Sequence, residues 1–250
     1  MKKIFLFFIS LYFLTAQQIV PEWFKVLPQH DPAINLAVGY TGKYRDRQLA
    51  QKAALNQARK NLAKQLRVRL IFEIQEISDG YYRLIQPTFE EIYYENLQAH
   101  IDTNSFVLDS VFVEDRCYIL LSTDDNFTIK RSQLSNWGEK PIWTDSLPKK
   151  SNFVYGVGIV ANYSYWKNGW QDADEYARFD ACKNLKLESS SIRTEKRTGQ
   201  YTINRKILRQ SVDISVANSK IIERWYDIQR NVFYSLCRIP IQSPEKILTD

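Results

Sequence analysis

An alanine-striped helix that occurs twice constrains this chain more than any other feature. Leu49 to Leu62 reads LAQKAALNQARKNL, with Ala50, Ala53, Ala54, Ala58 and Leu62 at the i, i+3, i+4 spacing of a helix with one buried face. An alanine face lets the helix axis come close to whatever it covers, which the flanking sequence suggests is a sheet. Ala50, Ala54, Ala58, Lys60, Asn61 and Leu62 return 123 positions on as Ala173, Ala177, Ala181, Lys183, Asn184 and Leu185. The chain reads as one α+β module used twice.

In the first copy, a strand over Ala33 to Val38 closes at Gly39, and a helix runs from Asp46, its cap, to Gln65. The alternating, β-branched run Arg67 to Ile77 predicts a strand, and Asp79-Gly80 a turn. Thr88 to Ala99 has the apolar spacing of a second helix, and Phe106–Val113 and Cys117–Ser122 read as closing strands. The second copy has a strand from Phe153 to Val157 closed by Gly158, and a helix beginning near Asp172. A polar edge strand follows over Leu187 to Thr198, then a helix over Ile203 to Ile214 and strands over Lys220–Ile228 and Val232–Ile239. The order is β-α-β-α-β-β twice, an α+β fold with an antiparallel sheet and helices packed on one face. Trp23 and Trp143 each stand five residues before a proline, and each is expected to plug the entering chain against its own module. The predicted division is a signal peptide at 1–16, a first module at 17–123, a linker at 124–142, a second module at 143–241 and a tail at 242–250.

Lys2-Lys3, the apolar run Ile4 to Leu14 and Ala16 have the layout of a secretory signal. An uncleaved anchor is the rival reading, because Leu14 at the −3 position is not small. Eleven mainly apolar residues reach about half of the ~20 needed to span a bilayer, and no later stretch is long and apolar enough. The expected compartment is therefore the periplasm, with no transmembrane segment once the signal is removed. No cysteine precedes Cys117, which rules out lipid attachment at the end of the signal. Of three cysteines, Cys117, Cys182 and Cys237, at least one is unpaired. A Cys182–Cys237 bridge and idle thiols are both open. Cys182 replaces Arg59 in the repeat, a position off the buried stripe. The net charge of +6 includes Lys2 and Lys3 and is too mild an excess to argue for nucleic acid.

Chemical signals are weak. Gly156-Val157-Gly158-Ile159-Val160-Ala161 matches a dinucleotide fingerprint in letters, but that mechanism needs the glycines to open directly into a helix. Close helix-over-strand packing explains them better. His30 and His100 have no ligand partners at useful spacing, and no serine lies in a G-x-S-x-G elbow. Glu90-Glu91 are neighbours that would point apart on a helix. No catalytic, cofactor or metal residues are assigned. One surface feature stands out: Lys52, Arg59, Lys60, Lys64 and Arg67 line a basic face off the alanine stripe, either a solvated face or a site for an anionic partner. The second helix mixes signs through Asp172, Asp174, Glu175, Arg178, Asp180 and Lys183. Such asymmetry would set which face meets which where copies lie side by side.

The order of Trp23, Val38-Gly39, the helix with Ala58-Arg59-Lys60-Asn61-Leu62, and Tyr118 resembles the Lpp-twenty lipoprotein family. That family's relatives include the flagellar proteins FlgO and FlgP and the amino-terminal domain of FlgT. Trp143, Val157-Gly158, Ala173 to Leu185 and Phe233 to Pro240 repeat the marks. The resemblance implies an envelope protein without catalysis or cofactors that braces a ring or disk of the flagellar motor at the outer membrane. The implied partners are other envelope or disk proteins of similar fold, among them a lipidated relative, and the protein itself is expected to oligomerise. Two readings compete with it: a binding module for a lipid headgroup or cell-wall polymer, and a secreted effector.

Overall fold

The structure, a computed structural model, describes residues 19–28, 33–77, 89–130, 132–161, 163–194 and 207–241. The signal at 1–16, the Asp79-Gly80 turn, His30 and the tail at 242–250 lie outside them. In chain order the elements are β1 (Val20–Pro21), α1 (Glu22–Lys25), β2 (Leu36–Tyr40), α2 (Arg47–Leu66), β3 (Arg67–Ile77), β4 (Phe89–Tyr93), α3 (Asn96–Thr103), β5 (Phe106–Val113), β6 (Arg116–Ser122) and β7 (Leu134–Ser135). A 3-10 turn at Ile142–Thr144 leads to β8 (Phe153–Ala161), α4 (Trp166–Thr194), β9 (Ile207–Ala217), β10 (Lys220–Asp227) and β11 (Val232–Pro240). The α+β class holds, with every strand pair antiparallel.

Asp46 caps α2 as its position demands, accepting from the backbone N–H of Gln48 at 2.8 Å and Leu49 at 3.2 Å. Ala50, Ala54, Ala58 and Leu62 then lie fully buried. Close approach is required at Gly39, where a Cβ would stand 1.9 Å from the Ala54 carbonyl oxygen and 2.5 Å from the Ala58 nitrogen. In the back half the same helix positions, Ala177 and Ala181, lie over Gly156. Asn61 donates to the Val38 carbonyl at 2.7 Å, and Asn184 donates to the Tyr155 carbonyl at 2.9 Å. Gly39 therefore corresponds to Gly156, and the pairing of Gly39 with Gly158 suggested by the two Val-Gly dipeptides is two residues out of step. Gly158 lies one helical turn away, beneath Ala173.

The two main sheets share one strand order, β2-β6-β5 under α2 and β8-β11-β10 under α4. Both also carry a bulge at the same place. The register slips between Val107 and Asp109 in β5 and between Ile221 and Glu223 in β10. The carboxylate just past each slip receives an indole N–H, Trp23 to Asp109 at 2.9 Å and Trp143 to Glu223 at 2.6 Å. Each tryptophan thus locks to its own half.

Several elements differ from expectation. Phe89–Tyr93, inside the expected helix of residues 88–99, is a strand, and only Asn96–Thr103 is helical. A spacing of four, as between Phe89 and Tyr93, fits one face of a strand as well as one face of a helix, and the inward residue between them is the acid Glu91. The expected helix over 203–214 is β9 from Ile207 onward, where Val212, Ile214 and Val216 alternate. Most of the expected edge strand over 187–198 is the continuation of α4 to Thr194, because LESSSIRT has no apolar alternation to hold a strand. The observed order is β-α-β-β-α-β-β in the front half and β-α-β-β-β in the back.

The halves are also not separate. β3 pairs with β4 on one side and with β9 of the back half on the other, from Arg67 opposite Ala217 to Ile77 opposite Ile207. Val68, Leu70 and Phe72 face inward from β3, packed with Phe179, Cys182 and Val212. The segment 124–142 is no spacer: β7 pairs with β1, and Trp137 is buried. Phe24, from α1, sits at the centre of an aromatic cluster drawn from both halves. Its ring lies 5.4 Å from Tyr40, 5.0 Å from Tyr118 and 5.4 Å from Trp170, while Trp137 stacks on Trp170 at 5.1 Å. Full burial of one such ring contributes roughly 1.5–3 kcal/mol, so this cluster, more than any loop, holds the halves together.

Candidate interaction surface and the buried ionic seam

The basic face expected on α2 is partly dismantled by its own neighbours. Lys64 is buried and off the face altogether. Its ammonium pairs with Glu91 of β4, and with Glu175 of α4 at 2.7 Å. The correction has a physical cause: Lys64 falls where α2 meets the back half, so a charge read as solvated became a counterion. Arg59 pairs with Asp102 at 3.3 Å and also donates to its carbonyl. The Lys60 ammonium lies 5.1 Å from the Tyr93 ring centre, and the Arg67 guanidinium 4.9 Å from that of Tyr94. Lys52 and Arg67 are exposed. Of five residues, two remain fully on the surface.

What the sequence did not announce is the ionic seam. Glu91 accepts from Lys64 and from the Arg178 Nε, with a second Arg178 nitrogen at 3.4 Å. Burial favours the neutral acid, but the Arg178 and Lys64 charges outweigh it and bring Glu91 down to about 2. Burial opposes the charge on Arg178, and Glu91 more than restores it. One helical turn away, Asp174 accepts two bonds from Arg224, at 3.1 and 2.8 Å, one from Ser235 at 2.6 Å and one from Tyr40 at 3.3 Å. Arg224 also donates to the Phe24 carbonyl at 3.3 Å and lies 5.0 Å from the Phe24 ring centre. Burial, then Asp174, push the Tyr40 hydroxyl well above its ordinary range. The three carboxylates Glu91, Glu175 and Asp174 are balanced by Lys64, Arg178 and Arg224, so each charge of the seam has a partner. Ser219 completes the seam, its N–H donating to the Gln65 carbonyl at 3.1 Å and its hydroxyl to that of Lys64 at 3.2 Å. The front helix is capped by the back half.

The signal that could have revealed the seam was present. Asp174 and Arg178 directly follow the buried Ala173 and Ala177, and charges beside a buried stripe reach into whatever packs next to it.

The structure brings Trp23, Gly39, Trp143 and Gly158 into the packing roles described above. The glycines of the dinucleotide-like stretch lie within β8 beneath alanine backbone, and α4 opens at Trp166, six residues earlier than expected. All three cysteines are buried free thiols, Cys182 included, because it faces the shared sheet. Burial pushes Cys237 up to about 12 and Cys182 well above its usual value, so neither is a ready thiolate. Among the described residues no helix is long and apolar enough to cross a membrane, and no His/Cys/Asp/Glu group is arranged to hold a metal. No family model matches the chain, and neither a curated protein nor a solved structure matches it.

The clearest outward-facing feature is β5. It is hydrogen-bonded to β6 on one side only among the described residues, and Phe106 and Val107 are 41% and 49% exposed on it. An open strand with exposed apolar residues is a template for pairing with another chain.

Proposed function

We propose that the protein is a non-enzymatic periplasmic scaffold that supports an outer-membrane-associated disk or ring of the flagellar motor, contacting subunits of similar fold. The observation that carries this reading is the open, apolar β5 edge on a body whose halves are tied by a shared sheet and an ionic seam. A rigid unit with an unpaired strand can add to a neighbouring sheet without reorganising itself. Its acidic and basic groups at the seam are committed to one another, which suits a structural part rather than a reacting one. The alternative of an anionic partner on α2 retains only Lys52 and Arg67 fully at the surface, and takes second place. Deleting the gene is expected to reduce swimming and disk density in images of the motor. Replacing it with a Phe106→Glu, Val107→Lys variant should give the same phenotype while the purified variant keeps its stability. Normal swimming and normal disks with both would end the proposal.

A further inference from the structure

A groove of about 780 Å³ opens between four segments: the turn after β2, the start of β6, the loop entering α4, and the β10–β11 hairpin. Its floor is aromatic. Trp166 lies 5.0 Å from Tyr226 and 5.4 Å from Phe233 between ring centres, and the Tyr226 hydroxyl is tied to Asn231 at 2.8 Å. Tyr163 is likewise tied to Asp172. These rings are set before any ligand arrives. Two tyrosines stand at the rim, Tyr44 at 37% and Tyr165 at 73% exposed. The charge on the walls has one sign: Lys43, Arg116 and Lys167 line the groove and no carboxylate does. Lys43 and Lys167 take part in none of the ion pairs among the described residues. Arg116 is paired with Glu114 at 3.0 Å and its guanidinium lies 5.2 Å from the Trp166 ring centre, so the uncommitted charge of the groove comes from the two lysines.

We propose that this groove binds a short acidic saccharide, with Tyr165 stacking on the C–H face of one sugar ring and Lys43 and Lys167 meeting its carboxylates. The size is that of a small-ligand site. An inorganic anion would leave the aromatic rim unused, and a neutral sugar would leave the cations unused. A strand of nucleic acid needs a succession of open rings for its bases, whereas here Arg116 lies beside the floor tryptophan and Tyr165 alone is largely open. This inference is independent of the scaffold reading and of the α2 face.

The test is calorimetric titration of the full chain with tetragalacturonate at low salt, beside maltotetraose and a thymidine tetranucleotide. Tetragalacturonate is expected to bind at least tenfold tighter than either. Tyr165→Ala and Lys43→Glu, both at exposed positions, should each weaken it about tenfold while leaving the circular dichroism spectrum unchanged. Absence of binding at millimolar tetragalacturonate, equal or tighter binding of the tetranucleotide, or indifference to both variants would overturn the proposal.

Discussion

The front and back halves lay an alanine-striped helix over a three-stranded sheet in the same way, yet they leave that helix differently. In front, α2 stops at Leu66 and the chain turns directly into β3, whose inward residues Val68, Leu70 and Phe72 alternate strictly. Behind, α4 runs on to Thr194 and the next described strand is β9. The shared features are matters of backbone distance: a glycine under two alanines, an asparagine reaching a strand carbonyl, an indole meeting the acid past a bulge. Features not shared are the ones that join the halves. β3 finds its second neighbour in β9, and α4 supplies Asp174, Glu175 and Arg178 to groups of the front half. A repeated frame can thus keep its helix-to-sheet geometry while its surfaces diverge into complementary partners.

The comparison breaks most sharply at the seam. Glu91→Ala takes the ion-pair partner from Arg178 in the interior, leaves Lys64 with Glu175 alone, and should cost about 3–5 kcal/mol, the usual penalty for halving a buried pair, as read from urea unfolding. The same pair sets an acid limit. Glu91 titrates at about 2 in the folded chain against an ordinary 4.5, so its contribution is complete above pH 4.5 and is lost as pH falls toward 2. Glu91→Gln should flatten that part of the stability profile, and an unchanged acid limb would remove Glu91 as its source.

Next in size are the glycines. Gly39→Ala and Gly156→Ala each drive a methyl into helix backbone and should cost about 3 kcal/mol, whereas Gly42→Ala, with nothing within 4 Å, should stay within about 0.5 kcal/mol. Unequal losses at Gly39 and Gly156 would show that the halves are less alike than their contacts. Trp23→Phe and Trp143→Phe should each cost about 1–2 kcal/mol by leaving Asp109 or Glu223 without its indole donor. Thermal unfolding of both sharpens the parallel, since a difference greater than about 1 kcal/mol between them would set the two plugs apart. Smallest is the exposed pair of Arg69 with Asp213 across β3 and β9. Arg69→Ala should leave the unfolding midpoint nearly unchanged, because solvent screens both groups.

Much of the local structure was legible. Asp46 as a cap, the alanine stripes, the inward alternation of β3 and the hairpins β5–β6 and β10–β11 all follow from short-range pattern. The strand at Phe89–Tyr93 was hidden because a spacing of four fits both periods and because a buried acid sat between the apolar residues. Lys64 was misread for a related reason: a lysine within a basic run looks solvated unless its counterions, 27 and 111 positions away, are already known. The groove beside Tyr165 had no local signal, because Lys43, Arg116 and Tyr226 come to it from distant parts of the chain.

The sequence by itself determined the α+β class, the helix-over-glycine contact in each half and the tryptophan at each entry, since these depend on residues whose size and period act locally. Tertiary structure alone decided that the halves share a sheet and a core and that Asp174, Glu91 and Arg224 are buried in balance. A charge carries no mark of its partner along the chain, and only the folded arrangement, by excluding water from both, makes the pair.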